Sequence, residues 1–195
     1  MNTGMGQFQP AGEYSSRVNS LTNFSMFEAL FVRRLAPTGA FAAELKAAGY
    51  DPESPQPKYP TATWVHCLEI ARRHRWATAT ETEAYHQLGR EFSLGFLETI
   101  SGRLIAAALP YMTPKSWLGR LATYFRMGRE DTRLSFDVVE AHEGFSRIKV
   151  HNPSRVPGGF VAGIIEVGFE HLRRPVSIDV TQATPTDYEL VVRWQ

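Results

Sequence analysis

The hydrophobic positions of this chain change period near residue 130. From Ser25 to Arg126 apolar residues recur at helical spacing. From Arg133 onward they alternate, as in Leu134, Phe136 and Val138, Ile148 and Val150, Val176, Ile178 and Val180, and Tyr188, Leu190 and Val192. One helix-period stretch, Phe160 to Leu172, interrupts the alternating runs. A period of about 3.6 residues marks a helix with one buried face, and strict alternation marks a half-buried strand. The pattern therefore predicts an α+β fold: an N-terminal helical half of five helices packed on a C-terminal ββαββ unit with a four-stranded, mainly antiparallel sheet. Residues 23–195 read as a single domain, its helical part 23–128 and its ββαββ part 130–195. Residues 1–22, rich in Gly, Gln, Ser and Asn, read as a mobile tail.

The first helix is expected to start at Ser25 as N-cap and to carry Met26, Phe27, Leu30 and Phe31 on one side. Thr38 to Ala48 is the second, with Gly49 at the left-handed position that closes helices. The prolines between Tyr50 and Lys58 make that segment irregular. A third helix runs from Tyr59-Pro60-Thr61 to about His74, with Trp64, Cys67, Leu68 and Ala71 as its apolar stripe. Thr80 and Glu83 have the spacing of a capping box and open a long helix expected to reach about Leu109, where Pro110 stops it. Gly89, Gly95 and Gly102 lie on it, each costing about 1 kcal/mol against alanine. Three such costs in one helix predict close backbone packing, or a ligand against that face. Thr113-Pro114 starts the fifth helix, with Trp117, Leu118, Leu121 and Phe125 inward.

A hairpin follows, Arg133 to Glu140 and Phe145 to His151. The helix from Phe160 to Leu172 has Gly163 and Gly168 for close approach to the sheet. Strands over Val176–Thr181 and Tyr188–Arg193 close the fold. The last strand, ending on Trp194, is expected at a sheet edge, where it could pair with a second copy to give a homodimer.

The 21 basic and 20 acidic residues nearly cancel. Divided at Pro110, the halves carry ten bases against ten acids and eleven against ten, so neither has the excess of a nucleic-acid binder or an anionic-membrane binder. No apolar run approaches the length of about 18 residues needed to span a bilayer, so no membrane insertion is expected. The N-terminus lacks the basic and apolar regions of a signal peptide, and a single cysteine, Cys67, excludes an internal disulfide. A cytoplasmic location is the expectation.

Several segments resemble a large paralogous family of proteins of unknown function, known mainly from myxobacteria. They are Met26 to Arg34, Leu45 to Asp51, Tyr59-Pro60-Thr61 with Trp64, and Leu68 to His74. Further matches are Glu83-Ala84-Tyr85, Leu88-Gly89-Arg90, Gly95-Phe96 with Thr99, and Trp194. More distantly, the order of elements and the stretch Gly163-Ile164-Ile165-Glu166 resemble a superfamily of haem-based nitric-oxide sensors, vinyl-reductase-type domains and Golgi vesicle-tethering subunits. That likeness implies an apolar ligand held between helices and sheet.

In the haem-binding members a tyrosine, a serine and an arginine on alternate positions grip the propionates. Here that neighbourhood reads His151-Asn152-Pro153-Ser154-Arg155: tyrosine is absent and the Ser–Arg spacing differs. His74 and His86, the candidate proximal ligands, lack a supporting pattern, so no cofactor is expected. Metal binding has no support either: His66 and Cys67 are neighbours pointing about 100° apart on a helix, and no ligand motif is present. In some tethering subunits a helical cysteine carries an acyl chain, which makes Cys67 a candidate for lipid modification; the plainer reading is a buried thiol in a core stripe. Ser101 and Ser146 lack a nucleophile elbow, and His142 reads as a solvated turn residue, so no catalytic residue is nominated and an enzyme is not expected. Lys115, Arg120, Arg126 and Arg129, with Trp117 and Tyr124, could form a basic strip for an acidic partner.

These observations favour a non-catalytic sensory module of a bacterial signalling system, binding an apolar small molecule in a pocket formed by Trp64, Cys67, Phe92, Phe96 and Tyr124. The alternative is a protein-interaction adaptor or tether with a solid core and a partner protein in place of the ligand.

Overall fold

The computed structural model describes residues 20–130 and 133–195. Strand β1 (Leu21–Asn23) pairs antiparallel with β2 (Lys58–Pro60) in a short two-stranded sheet. The hydroxyls of Ser20 and Thr22 reach Thr61 Oγ1 at 2.9 and 3.0 Å, and Thr22 is fully buried. Residues 20–22 therefore belong to the fold, which shortens the tail expected over residues 1–22. The rest of that tail lies outside the described residues.

Helix α1 (Phe24–Phe27) runs directly into a π-helical segment (Glu28–Leu35). Met26, Phe27, Leu30 and Phe31 are buried, as the pattern predicts. Ser25 is not the N-cap. Asn23 holds that position and its Nδ2 donates to the Met127 carbonyl at 2.9 Å, tying the helix start to a distant segment and leaving the cap without a side-chain bond. Helix α2 (Gly39–Ala47) ends before Gly49, whose φ of 97° is the left-handed conformation expected there. Helix α3 (Thr61–Arg75) buries Trp64, Cys67, Leu68 and Ala71, the predicted stripe.

Helix α4 (Glu81–Glu98) opens with the predicted capping box, both bonds formed between Thr80 and Glu83. It does not continue to Leu109. At Thr99 the chain turns extended and bends by 96° into α5 (Ile100–Ala108), which a 3-10 turn (Leu109–Tyr111) prolongs. The Thr99 hydroxyl accepts from the Gly102 amide at 3.1 Å, a new N-cap. Gly102 is required at this bend, because a Cβ there would overlap the Phe96 carbonyl. The predicted fifth helix is likewise two, α6 (Pro114–Gly119) and α7 (Leu121–Gly128), joined through Arg120. Trp117, Leu118, Leu121 and Phe125 are nonetheless all buried.

Strands β3 (Ser135–His142), β4 (Phe145–His151), β5 (Val176–Gln182) and β6 (Asp187–Trp194) form one sheet of order β3-β4-β6-β5, every neighbouring pair antiparallel. The last strand is therefore interior. Both of its sides are hydrogen-bonded, so the expected edge pairing of a second copy through Trp194 has no free edge; the edges are β3 and β5. Ile148 and Val150 on β4 and Tyr188, Leu190 and Val192 on β6 share one buried face. The opposite face carries cross-strand ion pairs such as Arg193–Asp179.

Helix α8 (Gly158–His171) is buried on nearly all sides between α4 and the sheet. Its glycines do more than meet the sheet. Only Gly158 faces β5 and β6, where a Cβ would meet Val180 and Tyr188. Gly163 faces the backbone of α4, and Gly168 lies under the Trp117 ring. Among the described residues no single helix is long and apolar enough to cross a membrane.

Candidate functional site

Where α4 leaves α8, the bend at Thr99 and the break at Arg120 open an apolar crevice of about 50 Å³. Phe92, Phe96 and Leu97 of α4 form one wall, and Ile105 of α5 and Ile164 of α8 flank it. Trp117, Tyr124 and Phe125 from α6 and α7 close the other side, and Met26 reaches in past Gly128. A Cβ on Gly128 would lie 2.6 Å from the Met26 sulfur, so the glycine makes room for that side chain.

The structure brings together three of the five residues expected to form the pocket. Phe92 and Phe96 stack with ring centroids 6.0 Å apart, and Tyr124 packs on Trp117 at 5.3 Å. Trp64 is 1% exposed and sits behind Phe92, edge-on at 5.8 Å, in a core cluster with Phe27 and Phe160. Cys67 is also buried and does not line the crevice. Sequence reasoning missed Met26, Leu97, Ile105 and Ile164, because i, i+3 and i+4 spacing says that a residue is buried, not which partner it meets. Trp117 was legible as inward-facing; the glycine beneath it, Gly168, is the signal that could have placed it.

Polar groups here are few. Tyr124 Oη is 3.9 Å from the Met112 sulfur, a weak bond at most. The Trp117 Nε1–H is buried without a hydrogen-bond partner. An unmet buried donor costs about 1–3 kcal/mol. None of the groups whose protonation is displaced, Tyr50, Tyr85, Tyr188 and Cys67 among them, lines the crevice. Burial pushes the Cys67 thiol up to about 12, because a thiolate there would lose its hydration. In the native protein Cys67 is expected to react with a thiol reagent such as DTNB only as fast as the chain unfolds. Stoichiometric labelling within seconds under native conditions would show an accessible thiol and restore it as a modification site.

The haem pattern does not assemble. Asn152 is 2% exposed and its side chain is already engaged: Nδ2 donates to the Val156 carbonyl at 3.2 Å, and Oδ1 accepts from the Ser154 amide and hydroxyl at 3.3 and 2.6 Å and from Arg129 Nη1 at 3.5 Å. Arg155 is exposed, in a left-handed turn with φ 60°. His86 pairs with Glu166 at 2.8 Å, and His74 with Glu44 at 2.9 Å. No histidine lines the crevice. Among the described residues no group of three or more His, Cys, Asp or Glu side chains is placed to hold a metal ion.

The basic strip needs correction too. Arg129 is 3% exposed, its Nη1 3.5 Å from Asn152 Oδ1, and Trp117 faces the interior. Only Lys115, Arg120 and Arg126 of that set are exposed.

The fold has solved counterparts. An H-NOX protein from S. oneidensis, in its Fe(II)NO ligation state, superposes with a TM-score of 0.68 at 10% identity, over 89% of this chain and 99% of that one. The unliganded Fe(II) H-NOX protein from K. algicida gives 0.66 at 12% identity, over 89% and 96%. A mutant of the T. Tengcongensis H-NOX gives 0.63 at 11%, over 88% and 96%. At such identities the likeness shows the fold alone, and this chain has the H-NOX fold. No curated protein matches it in sequence. The model of a family described as "Protein of unknown function (DUF2378)" matches residues 21–195, and the chain belongs to that family.

Proposed function

We propose that this protein is a non-catalytic sensory module that admits a small apolar molecule, bearing one hydrogen-bond acceptor, to the crevice between α4, α5, α6, α7 and α8. The observation that carries this reading is a largely apolar crevice whose polar side chains are those of Ser93, Tyr124 and Trp117, the last with its Nε1–H buried beside Gly168 and without a partner. An acceptor on the ligand would recover the bond that the protein leaves unmade. The fold supports it by analogy, since the solved H-NOX structures are described by their iron ligation states. The reading is haem-free. Its residues do not fit a haem: the crevice of about 50 Å³ has room for a few heavy atoms, no histidine lines it, and the Asn152 side chain is already engaged by Val156, Ser154 and Arg129.

Native mass spectrometry with a denatured control, and titration with acetone read on the indole N–H resonances, test this together. The chain has four tryptophans, so four resonances are expected and Trp117→Phe identifies one. The expected result is a shift of the Trp117 resonance and about tenfold weaker binding in Trp117→Phe, one hydrogen bond's worth. The adaptor reading has one observation in its favour, a crevice well below the lower bound of about 300 Å³ usual for ligand pockets. A bare polypeptide mass with an unmoved Trp117 resonance would establish it instead.

A further inference from the structure

Helix α5 turns an apolar ridge outward. Ile100, Leu104 and Tyr111 are 86, 75 and 91% exposed. With the exposed Ala107, Ile100 and Leu104 follow the spacing i, i+4 and i+7, which at about 100° per residue confines these three to an arc of about 60°, and Tyr111 ends the 3-10 turn that prolongs the helix. Gly102, Ile105 and Leu109, on the opposite arc, face the protein. The ridge is about 16 Å long at a rise of about 1.5 Å per residue. It is convex and stands on a single helix lying 96° from α4.

Charge along the chain segment that carries the ridge is of one sign, although in space Lys115 shares a groove with Glu143 of the β3–β4 turn. From Thr99 to Arg129 there is no acidic residue, while Arg103, Lys115, Arg120, Arg126 and Arg129 are basic. Arg103 lies beside the ridge on α5, and Lys115, Arg120 and Arg126 are exposed on α6 and α7, which share the crevice with α5. The acids bounding this stretch are engaged elsewhere: Glu98 with Arg34 at 3.6 Å, and Glu130 with Lys58 at 2.5 Å. Exposed Met127 adds a further apolar group next to Arg126.

We infer that α5, with the cations of α6 and α7, is a docking surface for an anionic phospholipid bilayer. A second copy is disfavoured, since apposing two ridges would bring like charges together with no acid to pair them. A helical protein partner is taken into a groove, whereas these side chains project from a convex ridge. Protruding isoleucine and leucine with a terminal tyrosine and flanking arginines suit the headgroup boundary, where apolar groups enter the acyl region and cations meet lipid phosphates.

Co-sedimentation of the full chain with vesicles of pure phosphatidylcholine, and of equimolar phosphatidylcholine and phosphatidylglycerol, tests the inference. Selective partition onto the anionic vesicles is expected, weakening with salt and falling about fivefold for each of Lys115→Gln, Arg120→Gln and Arg126→Gln. The pair Ile100→Ser and Leu104→Ser is expected to lower partition at least tenfold, roughly the effect of losing one buried aliphatic side chain. Both positions are solvent-exposed, and an unchanged unfolding midpoint would show that the variant is folded. The inference is overturned by equal sedimentation with both vesicle types, by none with either, or by an Ile100→Ser/Leu104→Ser variant that sediments like the parent. Capture by an acidic helical peptide without vesicle binding would also overturn it, and would assign the ridge to a protein.

Discussion

Gly163→Ala is expected to destabilise the fold strongly, although alanine is the better helix former by about 1 kcal/mol. A Cβ on Gly163 would overlap the His86 carbonyl oxygen and lie 2.8 Å from the Arg90 amide nitrogen. Gly89, on the facing side of α4, would bring a Cβ into the Phe160 carbonyl. The atoms met are backbone in both directions, so no side chain can swing aside, and the helices must separate. Separation would also loosen the seat of α8 on the sheet and the ion pairs of Arg90 with Glu166 and Glu170, at 2.9 and 2.8 Å. A loss above about 3 kcal/mol is expected, the upper end of overpacking costs. For a chain of this size that is a fall in Tm of about 6–12 °C, readable by calorimetry. Gly119→Ala is the control: nothing lies within 4 Å of its Cβ position, and no comparable loss is expected. A Gly163→Ala variant as stable as the parent would show that α4 and α8 do not touch through their backbones.

Trp64→Ala is expected to cost about 3–5 kcal/mol, because the ring is fully desolvated and its removal leaves a cavity. Its neighbours are themselves rings: Phe27 at 5.1 Å, Phe92 at 5.8 Å and Phe160 at 6.3 Å between centroids. These come from three different helices, so the cluster joins α1, α4 and α8 through a residue of α3. Urea denaturation would show a lower midpoint with little change of slope. Unchanged stability together with loss of ligand binding would return Trp64 to the pocket, as the sequence reading had it.

The two outcomes separate a distinction that periodicity blurs. Trp64, Cys67, Phe92, Phe96 and Tyr124 all occupy inward positions on their helices, and at that level core and pocket are the same signal. Phe92, Phe96 and Tyr124 border the crevice because α4 ends at Thr99 and the helix after Thr113 breaks at Arg120. The apolar run from Ile100 to Leu109 continues the helical period through Thr99 and hides the bend. Arg129 read as a surface cation because no acid separates it from Lys115, Arg120 and Arg126 in the sequence. The β-bridge between Thr22 and Arg129, a contact across more than a hundred residues, is what takes it inside. Dividing the charges at Pro110 likewise cut the acid-free stretch from Thr99 to Arg129 in two and concealed it.

Local chemistry was enough to determine the α+β plan, the capping box at Thr80 and Glu83, the left-handed Gly49, the buried stripe of α3 and the ββαββ order. Each depends on residues within a few positions of one another, and the backbone's hydrogen-bonding needs act over that range. The glycines of α4 and α8 announced close packing, and only the tertiary structure decided that they meet each other. Strand order was also a tertiary outcome: β6 is interior because β4 and β5 both offer it an apolar face in register, and the sequence of a strand does not say which neighbours will bury it. The crevice under Trp117 and the outward ridge of α5 arise in the same way. Both follow from where helices bend and cross, and those angles are set by the sum of many weak contacts between distant segments, which no local period records.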